Sequence, residues 1–300
     1  MRSVKVRAPA TSANLGAGFD IFGIALDKPR LIVEVSESSS DETSIDVTGT
    51  YGEKVPTSPE ENTAGIVAEA MGYPVQITIH AEIPISSGLG SSAAPAAATA
   101  LGINVLHNTG HSREDLVWIA AEGERVSAGI PHADNVAAAL FGGFNIVHER
   151  RIVSTKPKNI GITAVSPFVK VNTKKARKIL PLKIKMSDFV FNAGSAAFMT
   201  AGMLRSDPEL IGLGMENHVI EELRSQLIPG YTDVKKAATA AGALGVTISG
   251  SGPTMIAVSK LNQRERIANA MKQAFREHGI DSIEYKTMIG TGAQVIQYPT

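Results

Sequence analysis

Between Val75 and His107 the chain runs from an alternating stretch, Val75-Gln76-Ile77-Thr78-Ile79, through a serine- and glycine-rich turn into a long alanine-rich segment. The turn and the first helical residues read Pro84-Ile85-Ser86-Ser87-Gly88-Leu89-Gly90-Ser91-Ser92-Ala93-Ala94. A strand, a glycine turn and a helix in that order form the layout of a phosphate-binding loop. Glycines let the backbone approach a ligand without Cβ interference, and the helix aims its unpaired N–H groups and positive dipole end back at the turn. An anion belongs there, and the hydroxyls of Ser91 and Ser92 add donors, one of which can face a divalent cation on the phosphates.

Known loop types differ in what they require. A Walker A loop ends in Gly-Lys-Ser/Thr, but the first lysine after Gly90 is Lys156. Gly88, Gly90 and Ala93 satisfy the dinucleotide spacing Gly-x-Gly-x-x-Gly/Ala, yet the acidic residue expected about 20 positions on is missing. The chain there reads Asn108-Thr109-Gly110-His111. A different nucleotide loop remains, with a bare glycine turn as the plain alternative.

Composition narrows the partners. The 300 residues are 43% hydrophobic, ample for a core and long enough for two domains. With 29 basic and 29 acidic residues, nothing draws the chain to nucleic acid or an anionic membrane. The most apolar stretch, Ala93 to Leu106, is about fourteen residues, well short of the ~20 that span a bilayer, and reads as a buried helix. Residues 1 to 10 carry no apolar signal core, so export is not expected. The absence of cysteine excludes disulfides and thiolate chemistry and fits a cytoplasmic address.

Periodicity places the remaining elements. Strands are predicted at 4–7, 31–35, 75–80, 162–166, 245–249, 254–258 and 294–298, with another entered from Gly142-Gly143. Helices are predicted over 62–71, from Ser112, and from Gln263 to His278, where Ile267, Met271, Ala274 and Phe275 share a face and Gly279 marks the stop. The polar stretch His148 to Asn159 is the expected domain boundary, dividing the chain into 1–157 and 158–300. Strands alternating with helices indicate the α+β class.

Two further segments stand with the glycine loop. Ala8-Pro9-Ala10-Thr11-Ser12-Ala13-Asn14-Leu15-Gly16-Ala17-Gly18-Phe19-Asp20 lies near the N-terminus, and Gly245-Val246-Thr247-Ile248-Ser249-Gly250-Ser251-Gly252-Pro253-Thr254 lies near the C-terminus. Together with Pro84 to Ala94 they resemble, in order, the three signature motifs of the GHMP kinases, and the first resembles its homoserine kinase form. Mevalonate and galactose kinases carry a lysine or arginine in the first motif, whereas Ala10-Thr11-Ser12-Ala13 offers neither.

The resemblance implies a two-domain fold with an ATP-binding N-terminal α/β domain, a ferredoxin-like C-terminal half and the nucleotide site at their junction. It implies that ATP lies along Pro84 to Ala94, with Asn62 on the adenine side, and that Mg2+ is held by Ser92 and Glu124. On spacing alone, Glu124 beside Arg125 reads as a solvated carboxylate, Glu122 is the competing choice, and Asn62 reads equally well as a helix N-cap. The implied acceptor is L-homoserine, a zwitterion that needs a cation for its carboxylate and an acceptor for its ammonium. Arg177 and Arg224 match positions the family uses for the carboxylate. Without it, Arg177 is part of a basic run and Arg224 pairs with Glu221 or Glu222.

Asp20 and Asn14 would take the ammonium and hydroxyl ends respectively, although both also suit turn chemistry. In His132-Ala133-Asp134-Asn135, after Gly129-Ile130-Pro131, the family implies that Asn135 contacts substrate, while Asp134 stands in the region of the aspartate base of mevalonate kinase relatives. Thr173 is a further hydroxyl near the reacting centre. A homodimer is the implied assembly. Other small alcohols such as mevalonate, or ligand binding without catalysis, are the alternatives. His107 and His111, separated by Asn108 and Gly110, read as a loop pair without metal function.

Overall fold

The computed structural model describes residues 2–128, 132–171 and 173–299, so Gly129-Ile130-Pro131 lies outside the described residues. The first half contains β1 (Ser3–Asn14), β2 (Gly18–Glu37), β3 (Ser44–Thr48), α1 (Thr63–Met71) and β4 (Val75–His80), then α2 (Ala93–His107), α3 (Arg113–Ala128), α4 (Asp134–Phe141), β5 (Phe144–His148) and β6 (Arg151–Thr155). The second half contains β7 (Gly161–Pro167), α5 (Thr173–Lys178), α6 (Met186–Arg205), α7 (Pro208–Gly214), α8 (Ile220–Ser225), α9 (Tyr231–Ala240), β8 (Gly245–Ile248), β9 (Met255–Ser259), α10 (Arg264–Glu277), β10 (Ser282–Met288) and β11 (Gln294–Gln297).

The first sheet runs β11-β1-β2-β4-β3, and β2 also pairs with β5, which pairs with β6. β1 begins with alternate residues buried and ends with both faces buried, the change expected where a strand passes from an edge into the molecule's centre. α2 lies across this sheet and is itself covered by α1, α3 and α4. Its alanines, buried almost without exception from Ala93 to Ile103, have little bulk and let the helix seat close to β1 and β2. α1 starts at Asn62, whose side chain accepts from Ala64 N at 2.9 Å. At the start of α3, Ser112 N donates to Asp115 Oδ2 (2.9 Å) and Asp115 N to Ser112 Oγ (3.1 Å), a reciprocal cap.

The second sheet has the order β10-β7-β9-β8 with every pair antiparallel, and in chain order its elements read strand, helices, strand, strand, helix, strand. That is the ferredoxin-like arrangement expected for the C-terminal half. Alternate residues of β9 enter different cores: Met255 and Ala257 pack with Met271 and Phe275 of α10, while Ile256 and Val258 join the core shared with the first sheet. Met199 and Met203 of α6 and Ile211 of α7 complete that shared core.

Three strands differ from the sequence expectation. β6 falls inside the polar stretch His148 to Asn159, paired with β5, and leaves 156–160 as the connection to β7. β3 and β10 were not expected at all. His107 is not a solvated loop residue, because it ends α2 and its ring stacks on Tyr73 with centroids 4.3 Å apart. No helix among the described residues is long and apolar enough to cross a membrane.

Candidate active site

The glycine turn between β4 and α2 is fixed from within and from both neighbouring motif segments. Ser87 Oγ donates to Pro84 O at 2.7 Å and accepts from Leu89 N at 3.2 Å, closing the turn on itself. Thr11 N donates to Leu89 O at 3.0 Å, and Thr254 N to Ser87 O at 3.0 Å. Ser249 donates its hydroxyl to Gly88 O at 2.7 Å and lies 2.8 Å from Ser12 Oγ. The first and third segments are themselves joined, since Gly250 N donates to Ala13 O at 3.1 Å and Asn14 Nδ2 to Gly250 O at 2.9 Å. Three stretches from 8–20, 84–94 and 245–254 therefore build one wall. A side chain at Gly88 or Gly90 would break it: each has positive φ, and a Cβ would stand 2.2 Å from Ser249 O or 1.9 Å from Thr11 Oγ1.

This wall borders a cleft of about 500 Å³, within the range of small-molecule sites. At one end lie Ile85, Ser86, Gly88, Gly90, Ser91 and Ser92, followed at once by the N-terminal turn of α2. Pro84, Ser87, Leu89, Ala93 and Ala94 are not among the lining residues; Ser87 and Leu89 shape the turn, and Leu89, Ala93 and Ala94 are buried in the core. Ser92 Oγ donates to Glu124 Oε2 at 3.1 Å, and both side chains line the cleft. Glu122 instead pairs with Arg125 on the outside, with Nε–Oε2 at 2.5 Å. Asn62 lines the cleft while its side chain caps α1. Lys54, Val55, Pro56 and Glu61 share that end and were not anticipated.

Charged groups gather at the other end. Arg177 pairs with the Asp20 carboxylate, its Nη1 3.4 Å from Asp20 Oδ1 and its Nη2 closer still to Oδ2. Arg177 Nη1 also lies 2.9 Å from His132 Nε2. A guanidinium can only donate, so Nε2 accepts and the His132 proton sits on Nδ1, which faces Asp20 Oδ1 at 3.7 Å. The neutral ring agrees with burial holding its pKa below the usual histidine value, against the opposing pull of Asp20.

Arg224 is only 4% exposed. It donates through Nε to Ala176 O at 3.2 Å and through Nη1 to Gly250 O at 2.9 Å, and pairs with neither Glu221 nor Glu222. Glu221 bonds Lys235 and Thr247 instead. Burial lowers the Arg224 pKa to about 10, so it remains a cation at neutral pH. Both guanidinium groups lie over Phe19, 5.5 Å (Arg177) and 5.1 Å (Arg224) from its centroid.

Asn14, Asp134, Asn135 and Thr173 complete the lining. Thr11 donates its hydroxyl to Asn135 Oδ1 at 2.7 Å, which turns the amide Nδ2 toward use as a donor. Thr173 Oγ1 lies 3.2 Å from Ser251 Oγ. His132 and Phe19 were missed as site residues, although Phe19 adjoins Asp20 and His132 stands two positions before Asp134.

Asp134 is 3% exposed and accepts from Asn135 N at 2.7 Å. Burial pushes its carboxyl up to about 7, with Asp20 adding to the rise. An unfolded carboxylate titrates near 3.9, so from roughly pH 4 to 7 the folded state keeps a proton that the unfolded state has lost. Stability therefore falls as pH rises through that window and stays level above it. Asp134→Asn is expected to melt higher than wild type near pH 8, by up to about 4 kcal/mol in stability, with the gap closing toward about pH 4. Thermal scans across that range check this; a gap independent of pH would trace the effect to packing and not to ionisation.

Comparison with known proteins gives a consistent answer. The GHMP kinases N terminal domain model matches residues 61–143, and the GHMP kinases C terminal model matches residues 199–277. A homoserine kinase from Methanocella arvoryzae is 48% identical over 99% of this chain and 98% of its own length. The crystal structure of homoserine kinase from Cytophaga hutchinsonii superposes with a TM-score of 0.91 at 40% identity, covering 98% of this chain and 97% of that one. Mevalonate diphosphate decarboxylase from Staphylococcus aureus superposes with a TM-score of 0.69 over 99% of this chain and 98% of that one, but at 16% identity it shares the fold alone.

Proposed function

The chain belongs to the GHMP kinases, and on that footing we propose that it transfers the γ-phosphoryl group of ATP to the hydroxyl of L-homoserine, giving O-phospho-L-homoserine on the route to threonine. The observation that carries this reading is the division of one cleft into two chemistries. A glycine turn and helix N-terminus suited to phosphates occupy one end, and two arginines with a carboxylate occupy the other.

Asp20 and Arg177 pair with each other across the acceptor end. A zwitterion set between them exchanges that single pair for two, its ammonium on Asp20 and its carboxylate on Arg177 and Arg224. A neutral alcohol would break the pair without replacing it, and a substrate with a carboxylate alone would leave Asp20 unmatched. We assign the hydroxyl to Asn135, held in orientation by Thr11, with Asn14 and Thr173 nearby.

Attack by that oxygen on the γ-phosphorus forms the new P–O bond as the bond to the β-phosphate oxygen breaks and ADP departs, and the hydroxyl proton leaves late, to an oxygen of the transferred phosphoryl group and from there to solvent. A loose transition state asks little of the nucleophile's proton, so positioning suffices and Asp134 supports Asn135 through its backbone N–H. Asn62 and the neighbouring Lys54 to Pro56 segment are assigned to the adenine side.

Ser92 and Glu124 fit Mg2+: they present a hydroxyl and a carboxylate to the same cleft, 3.1 Å apart, at the end suited to phosphates. No cluster of three His, Cys, Asp or Glu occurs among the described residues, which suits a cation that takes most of its ligands from phosphates and water. When bound, Mg2+ supplies charge neutralisation to the β- and γ-phosphates. We further propose a cytoplasmic homodimer, with domains at 1–157 and 158–300.

The test is ADP release with Mg-ATP in one coupled assay offering L-homoserine, D-homoserine, L-serine, mevalonate and galactose. Turnover confined to L-homoserine is expected. Turnover on mevalonate or galactose would keep the kinase and sink the acceptor assignment, and nucleotide binding without turnover on any alcohol would make the chain a binding protein.

A further inference from the structure

β2 departs from its pairing with β1 halfway along. Pro9 of β1 pairs with Arg30 and Thr11 pairs with Ala25, so Ala10 alone stands opposite the stretch Leu26 to Pro29. A bulge of this kind re-aims the side chains it carries. The C-terminal strands hold it: Lys28 N donates to Thr287 Oγ1 at 2.9 Å, and Leu26 forms a β-bridge with Ile289. Beside the bulge lies a hollow of about 610 Å³ lined by Arg7, Asp27, Lys28, Pro29, Arg30 and Tyr285. It shares no lining residue with the cleft of the candidate active site.

Charge in this hollow does not balance. Arg7, Lys28 and Arg30 bring three cations against the single carboxylate of Asp27, in a chain whose formal net charge is zero. Asp27 is taken by Arg30, which reaches its Oδ1 through Nη2 and its backbone O through Nε, both at 2.7 Å. Neighbouring carboxylates are engaged elsewhere. Glu34 of β2 pairs with Lys5 at 3.4 Å and accepts from the Ser3 hydroxyl at 3.0 Å, and Glu82, close enough to act on Tyr285, accepts from Thr50 N and Oγ1 at 3.0 and 2.7 Å. Burial raises the pKa of the Tyr285 phenol, so that wall adds no negative charge.

The donors are fixed before any ligand arrives. Arg7 Nη2 donates to Gln294 Oε1 at 2.9 Å, and Arg30 Nη2 also reaches Thr291 Oγ1 at 3.2 Å. Arg7 Nε and Arg30 Nη1, by contrast, are buried and have no hydrogen-bond acceptor in the chain. A buried guanidinium N–H without an acceptor is costly, and two of them in one basic hollow favour an oxyanion there. We infer that this hollow binds a dianionic phosphate group, free or carried by a small phosphomonoester, on Arg7 and Arg30 with Lys28 as the third cation. Phosphate at neutral pH carries close to the two negative charges that the hollow lacks, whereas one carboxylate would cancel only half of the excess.

Phosphate also suits the glycine turn, so the test reads the hollow locally, with saturating Mg-ADP present and ionic strength held constant with chloride. Limiting acetic anhydride acetylates individual lysines, and mass spectrometry follows Lys28 against Lys236, whose side chain is 76% exposed on α9. Inorganic phosphate at millimolar concentration is expected to slow acetylation of Lys28 at least about fivefold relative to Lys236, and Arg7→Gln to remove that protection with unchanged circular dichroism. Lys5→Gln, on the same strand but engaged with Glu34, is expected to keep it. O-phospho-L-serine in place of phosphate separates the two sources: stronger protection identifies a phosphomonoester as the ligand, and weaker protection the free ion. Equal slowing at Lys28 and Lys236, no slowing with either probe, or protection that survives Arg7→Gln would overturn the site.

Discussion

Replacing Arg224 by alanine is expected to lower kcat/KM for L-homoserine by roughly 10²–10³-fold while leaving the affinity for ATP near its wild-type value, the loss usual for removing a buried charged partner. Arg224 is fixed before any substrate arrives, by Ala176 O, Gly250 O and the face of Phe19, so little side-chain entropy is lost on binding. Burial also leaves it weakly hydrated, which strengthens its attraction for a carboxylate. Lysine at this position keeps the charge but loses the fork that reaches two carbonyls and a ligand at once, so Arg224→Lys is expected to recover only part of the loss. Steady-state kinetics with each substrate varied in turn, beside nucleotide titrations, separate the two ends of the cleft. Equal damage to ATP binding would make Arg224 a brace for the third motif at Gly250 and not an acceptor-site residue.

How much of this was legible in sequence depended on how local each signal is. The glycine turn declares itself because its requirements fall within nine residues, and α10 because its apolar face recurs at helical spacing over fourteen. β3, β6 and β10 did not: Ile45 and Val47 in β3, and Ile283 and Tyr285 in β10, do alternate with polar residues, but two apolar positions are too short a signal, and in β6 Ile152 and Val153 are adjacent and do not alternate. Arg224 sits in Ile-Glu-Glu-Leu-Arg-Ser, which locally spells a solvated helix. The approach of α5, of Gly250 beyond β8 and of Phe19 buries it.

Glu122 and Glu124 show the same limit more sharply. Two residues apart on a helix lie about 200° apart around its axis, so one alone can face the cleft, and the choice is made by Ser92, 32 positions earlier. The ion pair of Asp20 with Arg177 spans 157 positions and has no local trace. The family resemblance set Ser92 and Glu124 in one site where periodicity could not, but it gave Asp20 and Arg177 separate substrate roles and no sign that they pair with each other.

The loop itself offers the second large effect. Gly88→Ala is expected to lower stability by on the order of 2–4 kcal/mol and to weaken ATP binding by at least about a hundredfold, because two separate penalties meet at one atom. The first is conformational: φ is +84° at Gly88, a region that costs an L-residue about 1–2 kcal/mol. The second is steric, since the new Cβ would stand 2.2 Å from Ser249 O, a backbone atom that cannot move without shifting the β8–β9 connection. Gly72→Ala separates the two. It has φ +74° at the end of α1 but open space for a Cβ, so it carries the conformational cost alone and lies away from the cleft. Calorimetric melting of both variants, with nucleotide titration of each, should show Gly88→Ala losing more stability and Gly72→Ala retaining ATP binding. Equal losses in stability would mean that the loop yields to the new methyl group. In that case the contact between the second and third motifs could not be what holds the phosphate end of the cleft in shape.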